Sequence, residues 1–505
     1  MLNGIKLPLR AKLSGSLIQY FVYSLVVVLM TGGSAIAQAE LTPPAAKTKA
    51  HCQFTQAAIA KKEKLRQAYL SGEANAKLRY QTLLEKHADI LSRCRSQTWP
   101  QNQAIWLRLY PCDARSGAVD RILDRIVNQG YNKVYVETFY DGRVLLPAAD
   151  NATAWKSVVR SPGKENVDLL ARVIEKGHER GLEVYAWMYT LNFGYSYAQR
   201  PEGQQVLARN GRGKSSLSFG NHSQAFIDPY SRKARQDYSQ LVQAVVQRQP
   251  DGVLFDYIRY PRGTGSQSVV NEVQDLWIYG DAAREELSER AQNRKGRSLI
   301  EKFLRQGYIT TSNVEAINQL PPQEEPPLWE GRNSSPTVEA ATKALPQDKL
   351  QSQLWYLSVA HAAQGILDFL SQAKLPVENQ GISAGAVFFP DANQVVGQGG
   401  FDSRLQPWER FPASLEWHPM SYAVCGSTNC IVDQVERAVD KAPSQTKVIP
   451  ALAGVWGKPR GNRPSLEAQM QAIQQEVPLV DSVSHFAYSW QNPRSDRDRK
   501  SCNFN

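Results

Sequence analysis

The sequence predicts an α/β chain closed as a (β/α)8 TIM barrel, with an N-terminal helical appendage and an insertion after the fourth strand. Three observations predict it. From Ala104 onward, short apolar runs alternate with amphipathic helical segments, the pattern of a parallel sheet covered by helices. Eight such runs recur in the same phase, and a closed barrel accounts for that count better than an open sheet. The runs also end in polar and aromatic residues, which a barrel gathers on one face. The sharpest case is Gln249-Pro-Asp-Gly-Val-Leu-Phe-Asp-Tyr-Ile-Arg-Tyr-Pro261. Asp251-Gly252 is a turn, Val253 to Phe255 is a buried strand, and Asp256, Tyr257, Arg259 and Tyr260 crowd its far end. Such a strand end is costly unless its polar groups face a cleft and one another. The plainer alternative is an Asp256–Arg259 pair that merely closes the strand.

The elements follow in order. Residues 1–39 read as a secretory signal. Lys6, Arg10 and Lys12 form the positive region, 17–30 is mostly apolar, and Ala35-Ile36-Ala37 or Ala37-Gln38-Ala39 offers a cleavage site. An uncleaved membrane anchor is the alternative, and either one places the body outside the cytoplasm. Residues 40–53 form a linker. The segment 54–98 is helical, with Leu65, Tyr69, Tyr80, Leu83, Leu84 and Leu91 as a partial apolar stripe and Ser71-Gly72 as the break of a hairpin. The barrel spans 99–495, leaving a tail at 496–505. Its strands are expected at 105–110, 133–139, 182–189, 253–257, 381–389, 414–422, 447–452 and 483–489. Helices are expected at 116–128, 167–180, 231–249, 349–372 and 465–476, with Asp228 as the N-cap of the third. The insertion, 262–348, holds a helical part at 281–303 and a run, Gln319-Leu-Pro-Pro-Gln-Glu-Glu-Pro-Pro327, that cannot pack as helix or central strand.

The net charge is +11, spread along the chain. It fits attraction to an anionic cell wall or membrane surface, and solvated Lys and Arg explain it equally simply. No zinc-finger spacing, RNA-binding aromatic motif or compact basic tract occurs, which argues against nucleic acid. The six cysteines, an even number behind an export signal, favour disulfides over metal. Cys425 and Cys430 can close a small loop, Cys52 and Cys94 can staple the helical appendage, and Cys112 is left with Cys502.

The strand ends bring together Glu137, Trp187, Tyr189, Asn192, Asp256, Tyr257, Arg259, Tyr260, Glu416, His418, Tyr422, Trp456 and Trp490. This is an aromatic rim with few carboxylates. Aromatic rings stack on the apolar faces of sugars, while Asp, Glu, Arg and Asn bind hydroxyls, so a glycan fits better than a phosphorylated metabolite. Glycoside cleavage uses two carboxyl groups. Asp256 is the first choice, expected to be kept ionised by Arg259. Glu137 is its expected partner and proton donor, with Asp141, Glu416 and Asp391 in reserve. His418 could assist as an acid or base. No Gly-x-Ser-x-Gly elbow and no His-Glu-x-x-His site occurs, and the chemistry calls for neither metal nor organic cofactor.

At these residues the sequence resembles the glycosyl-hydrolase-like barrels described as family-10-like, which include wall-associated proteins acting on peptidoglycan glycan strands. The resemblance covers about 104–490. Its most specific piece is Asp251-Gly-Val-Leu-Phe-Asp-Tyr-Ile-Arg-Tyr-Pro261. Supporting pieces are Ile227-Asp-Pro-Tyr-Ser-Arg-Lys-Ala-Arg235, Leu182-Glu-Val-Tyr-Ala-Trp187 and His418-Pro-Met-Ser-Tyr422. Asp256 falls on the first Asp of the family's pair, and Tyr257 stands where the second would be. Phe255 to Pro261 instead matches a Phe-Asp-Tyr-x-Arg-Tyr-Pro form found in putative glycosidase barrels. The resemblance implies a TIM barrel and a polysaccharide or peptidoglycan glycan substrate. The same residues also suit a barrel that binds glycan without cutting it, or a structural envelope protein.

Overall fold

A computed structural model describes residues 51–219, 224–332 and 346–502. The secretory signal at 1–39 and nearly all of the linker lie outside the described residues. Eight parallel strands close into a barrel: β1 (Asn102–Leu107), β2 (Lys133–Tyr140), β3 (Glu183–Tyr189), β4 (Gly252–Asp256), β5 (Ser383–Phe388), β6 (Glu416–Ser421), β7 (Ala451–Ala453) and β8 (Ser482–Phe486). Each pairs with the next in the chain, and β8 pairs back onto β1. β2 and β4 are buried along their whole length and β5 along all but its first residue, as a parallel barrel inside a ring of helices requires. β7 has only three residues and begins directly after Pro450.

Two helices precede the barrel: α1 (Gln56–Leu70) and α2 (Ala76–Gln97), turning at Ser71-Gly72. The Thr55 side chain caps α1 by accepting from the Ala58 N–H. This hairpin is bound to the barrel by polar contacts as well as packing. The Tyr80 hydroxyl donates to Asp124 at 2.7 Å, and Arg180 reaches Asp120, Asp124 and the Tyr80 hydroxyl. Arg95, 2% exposed, donates to the carbonyls of His51, Pro100 and Gly130. Gly130, at φ +83°, has to be glycine: a Cβ there would lie 2.0 Å from the His51 oxygen.

Between the strands lie α3 (Ala118–Asn128), α4 (Leu169–His178) and α5 (Arg232–Val246). After β4 come α6 (Asp281–Glu289), α7 (Arg294–Gln306) and α8 (Thr311–Asn318), then α9 (Gln347–Glu378). α10 (Asn429–Lys441) and α11 (Leu466–Glu476) complete the ring, and α12 (Pro493–Ser501) follows β8. Short strands at Val269–Val270, Gly400–Asp402 and Val395–Val396 form a small antiparallel sheet that ties the insertion to the loop after β5.

Asp228 is not the N-cap expected for α5. Ser231 fills that place, accepting from the Ala234 N–H, while Asp228 accepts from the N–H groups of Tyr230 and of Ala283 in the first turn of α6. Disulfides join Cys52 to Cys94, Cys112 to Cys502 and Cys425 to Cys430. No helix among the described residues is long and apolar enough to cross a membrane.

Candidate active site

β4 carries the central group. Its last residue, Asp256, is 6% exposed. Directly after it the backbone of Tyr257 enters the left-handed region at φ +54°, a conformation that costs a tyrosine about 1 kcal/mol or more. That turn aims the Tyr257 N–H at one oxygen of Asp256, 2.6 Å away. The indole N–H of Trp187, on β3, donates to the other oxygen at 3.0 Å. Burial pushes the Asp256 carboxyl up to about 6, and the Glu137 charge adds to the push; the two donors and Arg259 pull against it.

Glu137, near the end of β2, is 1% exposed. It accepts from both the Nε and the Nη2 of Arg108, at the exit of β1, the latter at 2.8 Å, and from the Tyr189 hydroxyl at 2.9 Å. Burial drives its carboxyl upward, while Arg108 and Tyr189 draw it back. Three donors on two oxygens hold this group as an acceptor. β3 connects the two acids. Trp187 and Tyr189 stand two residues apart, on one face of the strand, and reach Asp256 and Glu137 respectively.

The rim around this pair is aromatic and partly open. The Tyr257 ring lies 4.2 Å from that of Tyr189. Phe486, at the end of β8, sits 6.3 Å from Trp187, 5.7 Å from Tyr422 and 6.2 Å from Trp490. The Arg460 guanidinium covers Trp490 at 4.3 Å. Tyr257, Tyr422, Phe486, Trp490 and Arg108 all keep some exposure.

Two expectations about charge change. Arg259 does not keep Asp256 ionised: no ion pair joins them among the described residues, and desolvation outweighs the guanidinium. The strand-closing Asp256–Arg259 pair is absent for the same reason. Glu137, the expected proton donor, has its carboxyl raised by burial as expected, but it is also the acid engaged by a cation.

Several expected site residues lie elsewhere. Glu416 opens β6 rather than ending it, so it faces the opposite end of the barrel, near Lys133 and Lys447. His418 is fully buried in the barrel, 3.4 Å from Glu416 and edge-on to Tyr135, with its pKa lowered by burial. Tyr260 is a core residue whose hydroxyl donates to the Ala362 carbonyl. Asn192 is buried and accepts from the N–H groups of Gly194 and Ala225, which makes it a loop tie. Trp456 donates to the Tyr131 hydroxyl and packs on His485 and His51. It therefore covers the outside of β8, since the neighbouring Ser484 points inward to Trp106. Of the reserves, Asp141 is near enough to Glu137 to raise its carboxyl, and Asp391 pairs with Arg404 at 3.5 Å.

Arg108 and Phe486 complete the site without having been singled out for it. Arg108 was legible once the strand order is known: a cation leaving β1 beside a carboxylate near the end of adjacent β2 is a cross-strand pair. Among the described residues no cluster of three or more His, Cys, Asp or Glu could hold a metal ion.

No curated protein matches the chain. Among solved structures, the PgaB (BpsB) glycoside hydrolase domain from Bordetella bronchiseptica is 14% identical, covering 79% of this chain and 98% of its own, with a TM-score of 0.46. The catalytic domain of β-amylase from Paenibacillus polymyxa is 11% identical, covering 77% and 92%, with a TM-score of 0.44. Residues 105–297, from β1 through β4 into α7, match the model of the family described as Glycosyl hydrolase-like 10, so the stretch that carries Glu137, Asp256 and Arg259 is glycoside-hydrolase-like.

Proposed function

We propose that this protein is an exported glycoside hydrolase that cleaves an extended polysaccharide, such as the glycan strands of peptidoglycan, across the C-terminal mouth of the barrel. The single observation that carries the reading is the pair of buried carboxyl groups joined through Trp187 and Tyr189, one with its pKa raised to about 6 and the other held by Arg108. Two carboxyls with different environments are what acid-assisted glycoside cleavage requires. Asp256, protonated below about pH 6, gives its proton to the leaving oxygen. Glu137 supplies the negative charge that faces the developing cation on the sugar. Tyr257, Tyr422 and Trp490 stack on sugar rings at the rim. The three disulfides support a compartment outside the reducing cytoplasm.

One observation favours a second reading, a barrel that binds glycan without turnover: each oxygen of both acids already accepts an internal hydrogen bond. Incubation with purified peptidoglycan glycan and a panel of neutral and acidic polysaccharides separates the two, with released fragments read by mass spectrometry. The hydrolase releases fragments, fastest below about pH 6, and Asp256→Asn loses at least about 100-fold of that rate. Binding without fragments on every polymer, or full activity in Asp256→Asn, overturns the assignment.

A further inference from the structure

We propose that the sugar recognised at this site carries an anionic group, a carboxylate in the first instance, and that Arg259 receives it. This rests on the glycan-binding reading above and names the class of glycan. The observation behind it is a contrast among the buried arginines. Arg66 pairs with Glu63 and Asp124, Arg180 with Asp120 and Asp124, Arg404 with Asp402 and Asp391, and Arg499 with Asp113. Arg95 has no carboxylate, yet its N–H groups reach three carbonyls and the Gln103 side chain. Arg259 is 7% exposed and makes one hydrogen bond, from Nη1 to the Tyr260 carbonyl at 2.9 Å. Its remaining N–H groups have no acceptor among the described residues.

A largely buried guanidinium without an ion-pair partner is expensive, and each of the other buried arginines has a carboxylate or several carbonyls where Arg259 has a single carbonyl. Arg259 is also held in place. Its guanidinium lies 4.7 Å from the Tyr257 ring, 5.5 Å from Phe226 and 5.8 Å from Phe389, which fixes the plane of the fork without using its N–H groups. Arg262, exposed and without a carboxylate partner among the described residues, stands 6.0 Å from the same Phe389 ring. Three residues before Arg259 comes Asp256, close enough for the two charges to act on each other but not paired. A fixed, unspent guanidinium fork beside the candidate acid matches a carboxylate two-pronged, where a neutral sugar hydroxyl would use one N–H and leave the charge uncompensated.

The test compares two polymers with the same linkages: a hexuronate-containing polysaccharide and the same material with its carboxyls reduced to alcohols. A third arm uses peptidoglycan glycan freed of stem peptides, whose carboxylate sits on a lactyl ether, and so separates the two sources of the anion. Binding is measured on the Asp256→Asn protein, turnover on the unmodified chain. At least one acidic polymer binds about 10-fold or more tightly than the reduced one, as expected for charge-assisted hydrogen bonds. Adding Arg259→Met abolishes that preference, and Arg259→Lys keeps part of it. Equal binding of acidic and reduced polymers, or a preference that survives Arg259→Met, overturns the proposal. Equal cleavage of both polymers overturns it too, and leaves the hydrolase reading standing. Selective, Arg259-dependent binding with no cleavage does the reverse.

Discussion

Asp256 is buried, accepts two hydrogen bonds and still titrates at about 6, above the ordinary aspartate range. Its folded pKa therefore exceeds that of the unfolded chain, near 4. The stability tied to this group is fully present below about pH 4 and is lost as pH rises through about 6. Above that point the folded protein carries a desolvated carboxylate at a cost of about 2–3 kcal/mol. Asparagine has the same shape and no charge, and loses roughly 1 kcal/mol by turning an N–H toward one of the donors. Asp256→Asn is thus expected to be about 1–2 kcal/mol more stable than the unmodified protein at pH 7.5, with the gain gone at pH 4.5. Urea melts at the two pH values check this. A variant that is less stable at pH 7.5 would show that the donors, not burial, dominate the group. The residue was legible in the sequence, as a carboxylate ending an apolar run. Its charge state was not, because Arg259 is near in sequence but forms no ion pair with Asp256, and burial, which the local sequence does not report, outweighs its charge.

At the scale of elements, the alternation of strand-like and helical segments placed a strand over or overlapping each of the eight, although β6 and β8 carry several polar residues and β7, at Ala451–Ala453, lies at the far end of the stretch expected for it. What periodicity does not carry is how far each run is staggered against its neighbours. Glu416 and Glu137 both flank apolar runs, yet one opens its strand and the other lies near the end of its own, so only Glu137 reaches the mouth. α10 went unread although Ile431, Val432, Val435 and Ala438 give it a helical stripe, since the polar Cys425–Cys430 loop obscures its start. The job of Asp228 was equally hidden. Its second partner, the Ala283 N–H, lies 55 residues away and opens α6, so no local pattern announces it. Burial lifts this carboxyl to about 6 against two backbone donors, which marks how fully it is enclosed. Asp228→Ala strands both N–H groups and is expected to cost about 2–4 kcal/mol, felt most where α6 docks. Amide hydrogen exchange should rise in Asp281–Glu289 well before it rises in β4. Unchanged protection in that helix would mean that packing of Ala283 and Leu287 holds α6 without the cap.

For the whole molecule, the question is what holds a barrel's two ends in register when the chain between them carries a long insertion. Closure comes from β8 on β1, and this seam is reinforced from outside. Arg499 of α12 donates to Asp113 and to the Arg108 carbonyl, and Cys502 is bonded to Cys112. The C-terminus thus braces the segment that presents Arg108 to Glu137, so the last helix is coupled to the candidate site through one residue. The three disulfides span 5, 42 and 390 positions. If each acts by restricting the unfolded chain, their contributions rise with the logarithm of that span, to roughly 2, 4 and 6 kcal/mol. Paired serine substitutions at 425/430, 52/94 and 112/502 should therefore lower the urea midpoint in that increasing order. The 112/502 variant should also weaken glycan turnover, because Arg108 loses the brace on its backbone. If that variant falls no further than the 425/430 one, the unfolded chain keeps its ends together without the bond, or α12 releases without opening the barrel. Hydrogen exchange at the β1–β8 seam separates the two, since only release of α12 alone leaves the seam protected.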